Sequence, residues 1–294
     1  MTNEVKSGVV LAGGSGSRLS PTTNAISKHL IPIYDKPLIY YPISVLMLAG
    51  IRRILLITTP IDLPLYRRLL GDGSEFGIEL QFATQSEPRG VAESLIIAEE
   101  FVDQKPFALI LADNIFYGQS FSTILDNCIM NHCGATIFAY PVKDPERFGV
   151  VEIDDQQLIL SIEEKPRLPK SNLAVTGLYL YDASAVDVAR TLQPSERGEL
   201  EISDINEWYR REKSLKVEVL GRGFVWMDAG TPNSMLEATH FVQTIQNTQG
   251  YFIACLEEIG LLNKWLTPEY ILSKRATHLN SDYGKYILSL VGEK

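Results

Sequence analysis

The sequence predicts an α/β fold: a mixed, mostly parallel sheet flanked by helices, with a β-rich insertion and a small helical C-terminal segment. Three observations predict it. Short β-branched runs alternate with amphipathic stretches over roughly the first 133 residues, and such alternation implies a mostly parallel sheet covered on both sides. From Gly134 to Tyr181 the runs are separated by turns instead, and after Gly250 only short helical stretches follow.

Taken in order, residues 8–12, 53–59, 78–83 and 107–111 read as buried strands, with helices at 42–49, 64–70 and 91–101. Pro64 stands near the start of the second helix and Gly71 just past its end, where a fixed φ and a free φ respectively suit the chain. Leu95, Ala98 and Val102 share one face of the third. Strands at 135–142, 150–153, 158–163 and 174–181 come next, and Asp154-Asp155-Gln156-Gln157 reads as a hairpin tip. Helices resume at 184–192 and 204–212. A strand at 224–227 leads to a longer helix after Gly230, and two or three short helices follow Gly250.

The 294 residues, 45% hydrophobic, suffice for one large core with a small appendage. No run approaches the roughly 18 apolar residues of a membrane span, and the first residues show no charged-then-apolar export signal. A cytoplasmic protein without membrane contact is expected. Three cysteines form too sparse a set for a disulfide framework. Cys128, His132 and Cys133 lack a second ligand pair at zinc spacing and read as the end of an amphipathic helix. A net charge of −9 argues against a nucleic-acid partner, which needs clustered cations. A small anionic substrate needs only a few cations inside a cleft.

The first strand empties into Gly13-Gly14-Ser15-Gly16-Ser17-Arg18-Leu19-Ser20-Pro21-Thr22-Thr23. Glycines let backbone amides approach an anion closely, and the Arg18 guanidinium adds a forked cation for phosphate oxygens. A P-loop would need Gly-Lys-Ser/Thr, which is absent. A dinucleotide fingerprint would need glycine at Leu19 and an acid near the end of the second strand, which ends in Thr58-Thr59-Pro60.

The segment continues as Ser27-Lys28-His29-Leu30-Ile31-Pro32-Ile33-Tyr34-Asp35-Lys36-Pro37. Together the two stretches resemble the sugar-nucleotide pyrophosphorylase family, G-G-x-G-x-R-L-x-P-x-T followed by K-x-L-x-P-I-Y-D-K-P. The resemblance covers essentially the whole chain. Asp113-Asn114-Ile115-Phe116-Tyr117-Gly118, Pro145-Glu146-Arg147-Phe148-Gly149, Glu163-Glu164-Lys165-Pro166, Thr176-Gly177-Leu178-Tyr179, Arg197-Gly198-Glu199-Leu200-Glu201 and Trp226-Met227-Asp228-Ala229-Gly230-Thr231 recur in order. It implies a Rossmann-like nucleotide-diphospho-sugar transferase fold and a Mg2+ cofactor. The implied reaction moves a deoxythymidylyl group from dTTP to glucose-1-phosphate, giving dTDP-glucose and pyrophosphate for rhamnose-containing polysaccharides. The main domain would span residues 1–250, its nucleotide half about 1–133 and its sugar-binding part about 134–230. Residues 251–294 would serve assembly as a homotetramer, a dimer of dimers.

Displacement at phosphorus needs charge neutralisation and alignment more than proton transfer. Asp113 and Asp228 each end an apolar strand, so the two carboxylates suit one shared magnesium ion and match the family's metal ligands. Lys28 would neutralise triphosphate oxygens. Leu11, Gly13, Gly14, Gly16 and Arg18 belong to the implied nucleotide site. By the same resemblance, Lys165 holds the sugar phosphate, and Gly149, Glu164 and Val175 contact the hexose. Gln85 reads a pyrimidine edge with its carboxamide, which offers a donor and an acceptor, and Gly90 completes base recognition through its backbone.

Some residues depart from the family pattern. His29 replaces a usual glutamine and Ala112 a usual glycine, adding a methyl group near the expected nucleotide sugar. Arg89 and Glu93, replacing aspartate and glutamine, add charges of both signs near the base. These departures leave thymidine and uridine both open as substrates. A uridylyltransferase and a non-catalytic nucleotide-sugar binder stand as alternatives. The joint presence of Arg18, Lys28, Asp113, Lys165 and Asp228 speaks for an enzyme, since a sensor has little use for a full charge set. Tyr117, Gly118, Arg222 and Ile259 match positions of the family's secondary, inhibitory nucleotide site between subunits. Leu262 stands where that site usually has an arginine, so weak or absent feedback inhibition is expected.

Overall fold

A computed structural model describes residues 5–14, 16–274 and 280–292; Ser15 of the glycine loop and part of the 251–294 segment lie outside them. In chain order the elements are β1 (Ser7–Ala12), β2 (Pro32–Ile33), β3 (Lys36–Pro37), α1 (Tyr40–Leu48), β4 (Arg53–Thr58), α2 (Leu63–Leu70), β5 (Glu79–Thr84), α3 (Glu93–Ile97), α4 (Glu99–Val102), β6 (Phe107–Leu111), β7 (Asn114–Gly118) and α5 (Phe121–Met130). Then come β8 (Ala135–Pro141), β9 (Gly149–Ile153), β10 (Ile159–Glu164), β11 (Leu173–Tyr181), α6 (Ser184–Thr191), α7 (Ile202–Arg211), β12 (Leu215–Val219), β13 (Phe224–Asp228), α8 (Pro232–Gln249), α9 (Leu256–Leu262), α10 (Pro268–Ser273) and α11 (Asp282–Leu290).

Period-two alternation builds two cores from one sheet. Val10, Ala12, Ile54 and Leu56 face Ile43, Leu46 and Met47 of α1 on one side. Val9, Leu11, Leu55 and Ile57 face Leu95, Ala98, Ala185 and Ile205 on the other. At β1 and β4 the side chains are buried on both faces, so the sequence there reads as a continuous apolar run.

The nine-stranded sheet runs β10-β9-β11-β6-β1-β4-β5, with β8 paired to β11 and β12 to β8. β1, β4, β5 and β6 are mutually parallel, and β11 runs antiparallel to β6. The strands read as an insertion therefore extend the central sheet. Register matters for the site. Leu178 pairs with Ile110, so residues 173–176 of β11 project past the C-terminal end of β6. The carboxyl ends of β1, β4, β5 and β6 meet at that same edge, where open α/β sheets bind ligands.

A separate ribbon of β7 and β13 aligns Asp228 with Asn114. α8 starts on a capping box, with Thr231 Oγ1 accepting from Ser234 N and Ser234 Oγ accepting from Thr231 N. It closes a third core of Leu19, Ile33, Tyr41, Ile115 and Met235 beneath the glycine loop. In the tail, Leu256 and Ile259 of α9 join the α1 core. Lys36 is buried with its ammonium 2.6 Å from Asp35 and 3.2 Å from Gln246 Oε1, facing the rings of Tyr41, Phe252 and Tyr283. That cation ties the β2–β3 hairpin to α8 and the tail. None of the described helices is long and apolar enough to cross a membrane.

Candidate active site

The glycine loop is shaped by conformation and by close approach. Gly14 and Gly16 hold φ of 100° and 59°, values that glycine adopts without a Cβ penalty. A Cβ added at Gly13 would lie 2.6 Å from Gln85 Oε1, so the loop passes directly against that carboxamide. Thr23 Oγ1 donates to Gly16 O at 2.9 Å and pins the following turn.

Asp113 follows β6 and is held from every side. Lys28 Nζ donates to its Oδ2, and Asn114 Nδ2 donates to its Oδ1 at 2.9 Å. Asn114 is in turn fixed as an acceptor, from Gly177 N at 2.8 Å and Trp226 Nε1 at 2.6 Å. Burial alone would raise the Asp113 carboxyl, yet the Lys28 ammonium and these donors hold it well below the usual carboxylate range. Ala229 N donates to Asp113 O at 2.8 Å, which docks the Asp228 turn beside it. Burial and the neighbouring Asp113 charge push Asp228 up to about 6. The effect runs one way: Asp113 keeps its charge, and that charge beside a buried Asp228 makes the second carboxyl harder to ionise. A Cβ at Gly230 would lie 3.0 Å from both Arg18 and Asp228, so the glycine leaves open a cradle of mixed charge. Among the described residues no cluster of three or more His, Cys, Asp or Glu side chains forms a complete metal cage. A pair of carboxylates nonetheless fits magnesium, which keeps waters and substrate phosphates as its other ligands.

On one side of Asp113 lies a cavity of about 430 Å³ whose walls include Arg18, Asp228, Gly149, Glu164, Lys165 and Val175. Gly149 pairs with Glu164 across β9 and β10, and a Cβ there would lie 3.2 Å from Glu164 Oε2. Burial raises the Glu164 carboxyl, against the pull of Lys165 and Arg197. Lys165 turns at φ 45°, with its N–H on Phe148 O at 3.0 Å.

On the other side Gly14, Lys28 and Gln85 line a second cavity of about 420 Å³, with Thr59, Ser86 and Pro88. Gln85, 5% exposed, donates through Nε2 to Gly90 O at 3.2 Å and to Glu93 Oε2 at 2.7 Å. Gly90 has φ 103°, and a Cβ there would meet the Leu200 backbone at 2.4 Å. Leu200 N donates to Arg89 O at 2.7 Å and Ala92 N to Leu200 O at 3.1 Å, stitching this loop to the segment before α7. Leu11 is buried in β1 beneath the loop and lines neither cavity.

The departures from the family pattern sit quietly in the fold. Arg89 does not line the second cavity; it pairs at 2.8 Å with Glu87, which does, and both are largely exposed. Ala112 is buried, its methyl in the core with Val10 and Ala12. His29 is buried against Ser27 Oγ and Tyr66 OH, each 3.3 Å from Nδ1; burial and the adjacent Lys28 lower it to about 3, so it is neutral.

Sequence reasoning missed Arg197, which lines the first cavity and pairs with Glu201 at 2.7 and 2.8 Å and with Glu164 at 3.6 Å. It also missed Arg147, stacked on Phe148 at 5.2 Å in the same wall. Both lay inside quoted motifs, but their direction depends on pairings that only the fold supplies. A further cavity of about 680 Å³ is lined by Tyr117, Gly118, Glu258, Ile259 and Leu262; Arg222 stands exposed in the turn before β13 and does not line it. Cys128 and Cys133 are free thiols at and beyond the end of α5.

Comparison with known proteins fits this geometry. The nucleotidyl transferase family model matches residues 7–245. A glucose-1-phosphate thymidylyltransferase of Neisseria gonorrhoeae is 58% identical over 97% of this chain and 99% of its own length. Those of Xanthomonas campestris and Mycolicibacterium smegmatis are 49% and 48% identical over 97% of the chain and 97% and 98% of their own. Among solved structures, a candidate glucose-1-phosphate thymidylyltransferase from Bacillus anthracis in complex with sucrose superposes with a TM-score of 0.74 at 39% identity, covering 80% of this chain and 94% of that one. A UDP-glucose pyrophosphorylase with UDP-glucose shares the fold, with a TM-score of 0.72 at 21% identity over 82% of this chain and 99% of that one.

Proposed function

The chain belongs to the nucleotidyl transferase family, and we propose on that premise that it transfers a deoxythymidylyl group from dTTP to glucose-1-phosphate, releasing pyrophosphate and forming dTDP-glucose. The observation that carries this reading is the pair of adjoining cavities, one backed by the glycine loop and Gln85, the other by Glu164 and Lys165, meeting at Lys28 and Asp113. Two substrates that must react at one phosphorus need this layout. The relatives' shared name decides between thymidylyl and uridylyl transfer, which the carboxamide of Gln85 alone cannot.

Arg18 and Lys28 meet the triphosphate, and Lys165 with Arg197 meets the sugar phosphate. Holding both anions in line supplies much of the rate enhancement in such a displacement. A phosphate oxygen of glucose-1-phosphate bonds to the α-phosphorus as the bond to the bridging oxygen breaks, and pyrophosphate takes that electron pair. The attacking oxygen is already anionic, so no general base is required. Asp113 and Asp228 would hold magnesium, which when bound neutralises charge on the reacting phosphates. Glu164, Gly149 and Val175 frame the hexose, with Glu164 accepting from its hydroxyls.

The reading extends to residues 1–250 as the transferase unit, residues 251–294 as an assembly segment, a homotetramer and a cytoplasmic location. The surface presented by Leu262, 72% exposed on α9, supports the assembly role. Purified protein with magnesium, dTTP and glucose-1-phosphate should release pyrophosphate and form dTDP-glucose, with UTP a poorer donor. Absence of pyrophosphate release with every nucleotide, despite tight nucleotide-sugar binding, would replace the enzyme by a sensor.

A further inference from the structure

A carboxamide has two donor hydrogens on one side and an acceptor oxygen on the other. Which side a bound base meets is therefore decided by what holds the amide. At Gln85 both Nε2 hydrogens are spent, on Gly90 O at 3.2 Å and on Glu93 Oε2 at 2.7 Å. The reversed amide would set Oε1 against a carbonyl and a carboxylate with no hydrogen between them, a repulsive arrangement in a side chain only 5% exposed. Oε1 instead faces the glycine loop, where it lies 2.6 Å from the point a Cβ on Gly13 would occupy. Among the described residues no donor reaches it.

We infer that Glu93 is a positioning residue that locks Gln85 as an acceptor and so restricts the base cavity to pyrimidines bearing a hydrogen on N3, excluding cytosine. The inference rests on the nucleotidyl-transfer reading above and deepens it. Thymine and uracil carry N3–H, a donor that an acceptor satisfies. Cytosine presents a bare N3, which would face Oε1 lone pair to lone pair. Of the two contacts on Nε2, the one to Glu93 is shorter and charge-assisted, hence the stronger. Gly90 O alone would bind one hydrogen and leave the other free for an acceptor on the base. The charge at Glu93 is thus spent on orientation and does not intrude on the pocket.

The test is equilibrium binding of dTTP and dCTP, by calorimetry, to the wild type, Glu93→Leu and Glu93→Gln. The wild type should prefer dTTP. Glu93→Leu frees a donor hydrogen and should shrink that preference by about tenfold or more, while Glu93→Gln keeps an acceptor and should stay within about threefold of the wild type. A general packing defect would weaken both nucleotides alike and leave the ratio unmoved. Should Glu93→Leu lose its native near-ultraviolet circular dichroism, Glu93→Ala makes the same comparison. An unchanged ratio in the folded apolar variant, or an equal fall in Glu93→Gln, overturns the inference. A wild type that binds dTTP and dCTP equally overturns the inference alone; one that binds neither overturns the nucleotidyl-transfer reading as well.

Discussion

The Lys28 ammonium is hydrogen-bonded to the Asp113 carboxylate, and that one pair joins the cavity lined by the glycine loop to the cavity lined by Glu164 and Lys165. Each partner belongs to a different wall. Asp113 is also gripped by Asn114, so its two oxygens are committed in direction before any substrate arrives.

Asp113→Asn should therefore remove most turnover while leaving the fold nearly intact. The amide turns a donor toward either Lys28 or Asn114 and withdraws the anion expected to meet magnesium. Loss of such a ligand commonly costs several kcal/mol of transition-state stabilisation. Steady-state pyrophosphate release at saturating magnesium measures it, and near-normal activity would remove Asp113 from the metal assignment.

Gln85→Ala should weaken dTTP binding by roughly 1–3 kcal/mol, since a buried base edge loses its partner. Glucose-1-phosphate, in the neighbouring cavity, should bind about as before. If titrations put the loss on the sugar phosphate instead, Gln85 does not face the base.

Gly177→Ala tests how firmly Asp113 is positioned. A Cβ at Gly177 would come within 2.7 Å of the Asn114 amide, which is buried and holds three partners. Overpacking at such a point costs about 1–3 kcal/mol, visible as a lowered unfolding midpoint in denaturant. Because the displaced Asn114 also orients Asp113, turnover should fall further than stability alone explains. Unchanged stability and turnover would mean that the strand simply shifts to make room.

His29 gives a pH signature. It is neutral in the fold, with its pKa lowered to about 3 by burial and by Lys28, whereas the unfolded chain titrates near 6.5. Between those values the unfolded state binds the extra proton, so this residue lowers stability as pH falls below about 6.5. The slope approaches about 1.4 kcal/mol per pH unit. His29→Gln should lose that slope, and its unfolding free energy relative to wild type should rise steadily from pH 7 to pH 4.5. A difference independent of pH would contradict a buried neutral imidazole.

Much of this was legible in the sequence because burial on two faces leaves a simple trace. Strands 53–59 and 107–111 needed only their apolar runs, and Asp113 and Asp228 stood at the ends of such runs. β12 was not read although Leu215, Val217 and Val219 alternate with Lys216 and Glu218; it pairs with β8 alone and is only half-buried, so its apolar signal is weak. β7 was quoted as a motif but not as a strand, because its partner β13 is distant in sequence, Phe116 pairing with Trp226 and Asn114 with Asp228, and leaves no local mark. The helix read over 91–101 breaks at Ala98 into α3 and α4. Glu93 showed its charge in the sequence but not its partner. Only the fold brings Gln85 Nε2 to it.

The final prediction concerns the cavity beside the tail. Tyr117 OH donates to Gln249 Oε1 at 2.6 Å and meets Tyr251 OH at 2.9 Å, so one wall of this cavity is already bonded within itself. Opposite stands Glu258, an acid whose pKa burial raises and whose carboxylate accepts from Tyr286 OH at 2.9 Å. Leu262 lies on the same helix, exposed and apolar, and no arginine or lysine is among the lining residues. A diphosphate entering here would meet an acid and a hydrocarbon surface and lose the forked contact an arginine provides. That contact is worth roughly 1.5–3 kcal/mol, or about a tenfold to hundredfold in affinity. The wild type should accordingly be inhibited weakly by dTDP-rhamnose, and Leu262→Arg should lower the inhibitory concentration by about tenfold or more without altering KM for dTTP. Sedimentation of both proteins should report the same tetramer, which separates a restored ligand contact from a changed assembly. Micromolar inhibition of the wild type that the added arginine leaves unchanged would show that the ligand's phosphates lie elsewhere.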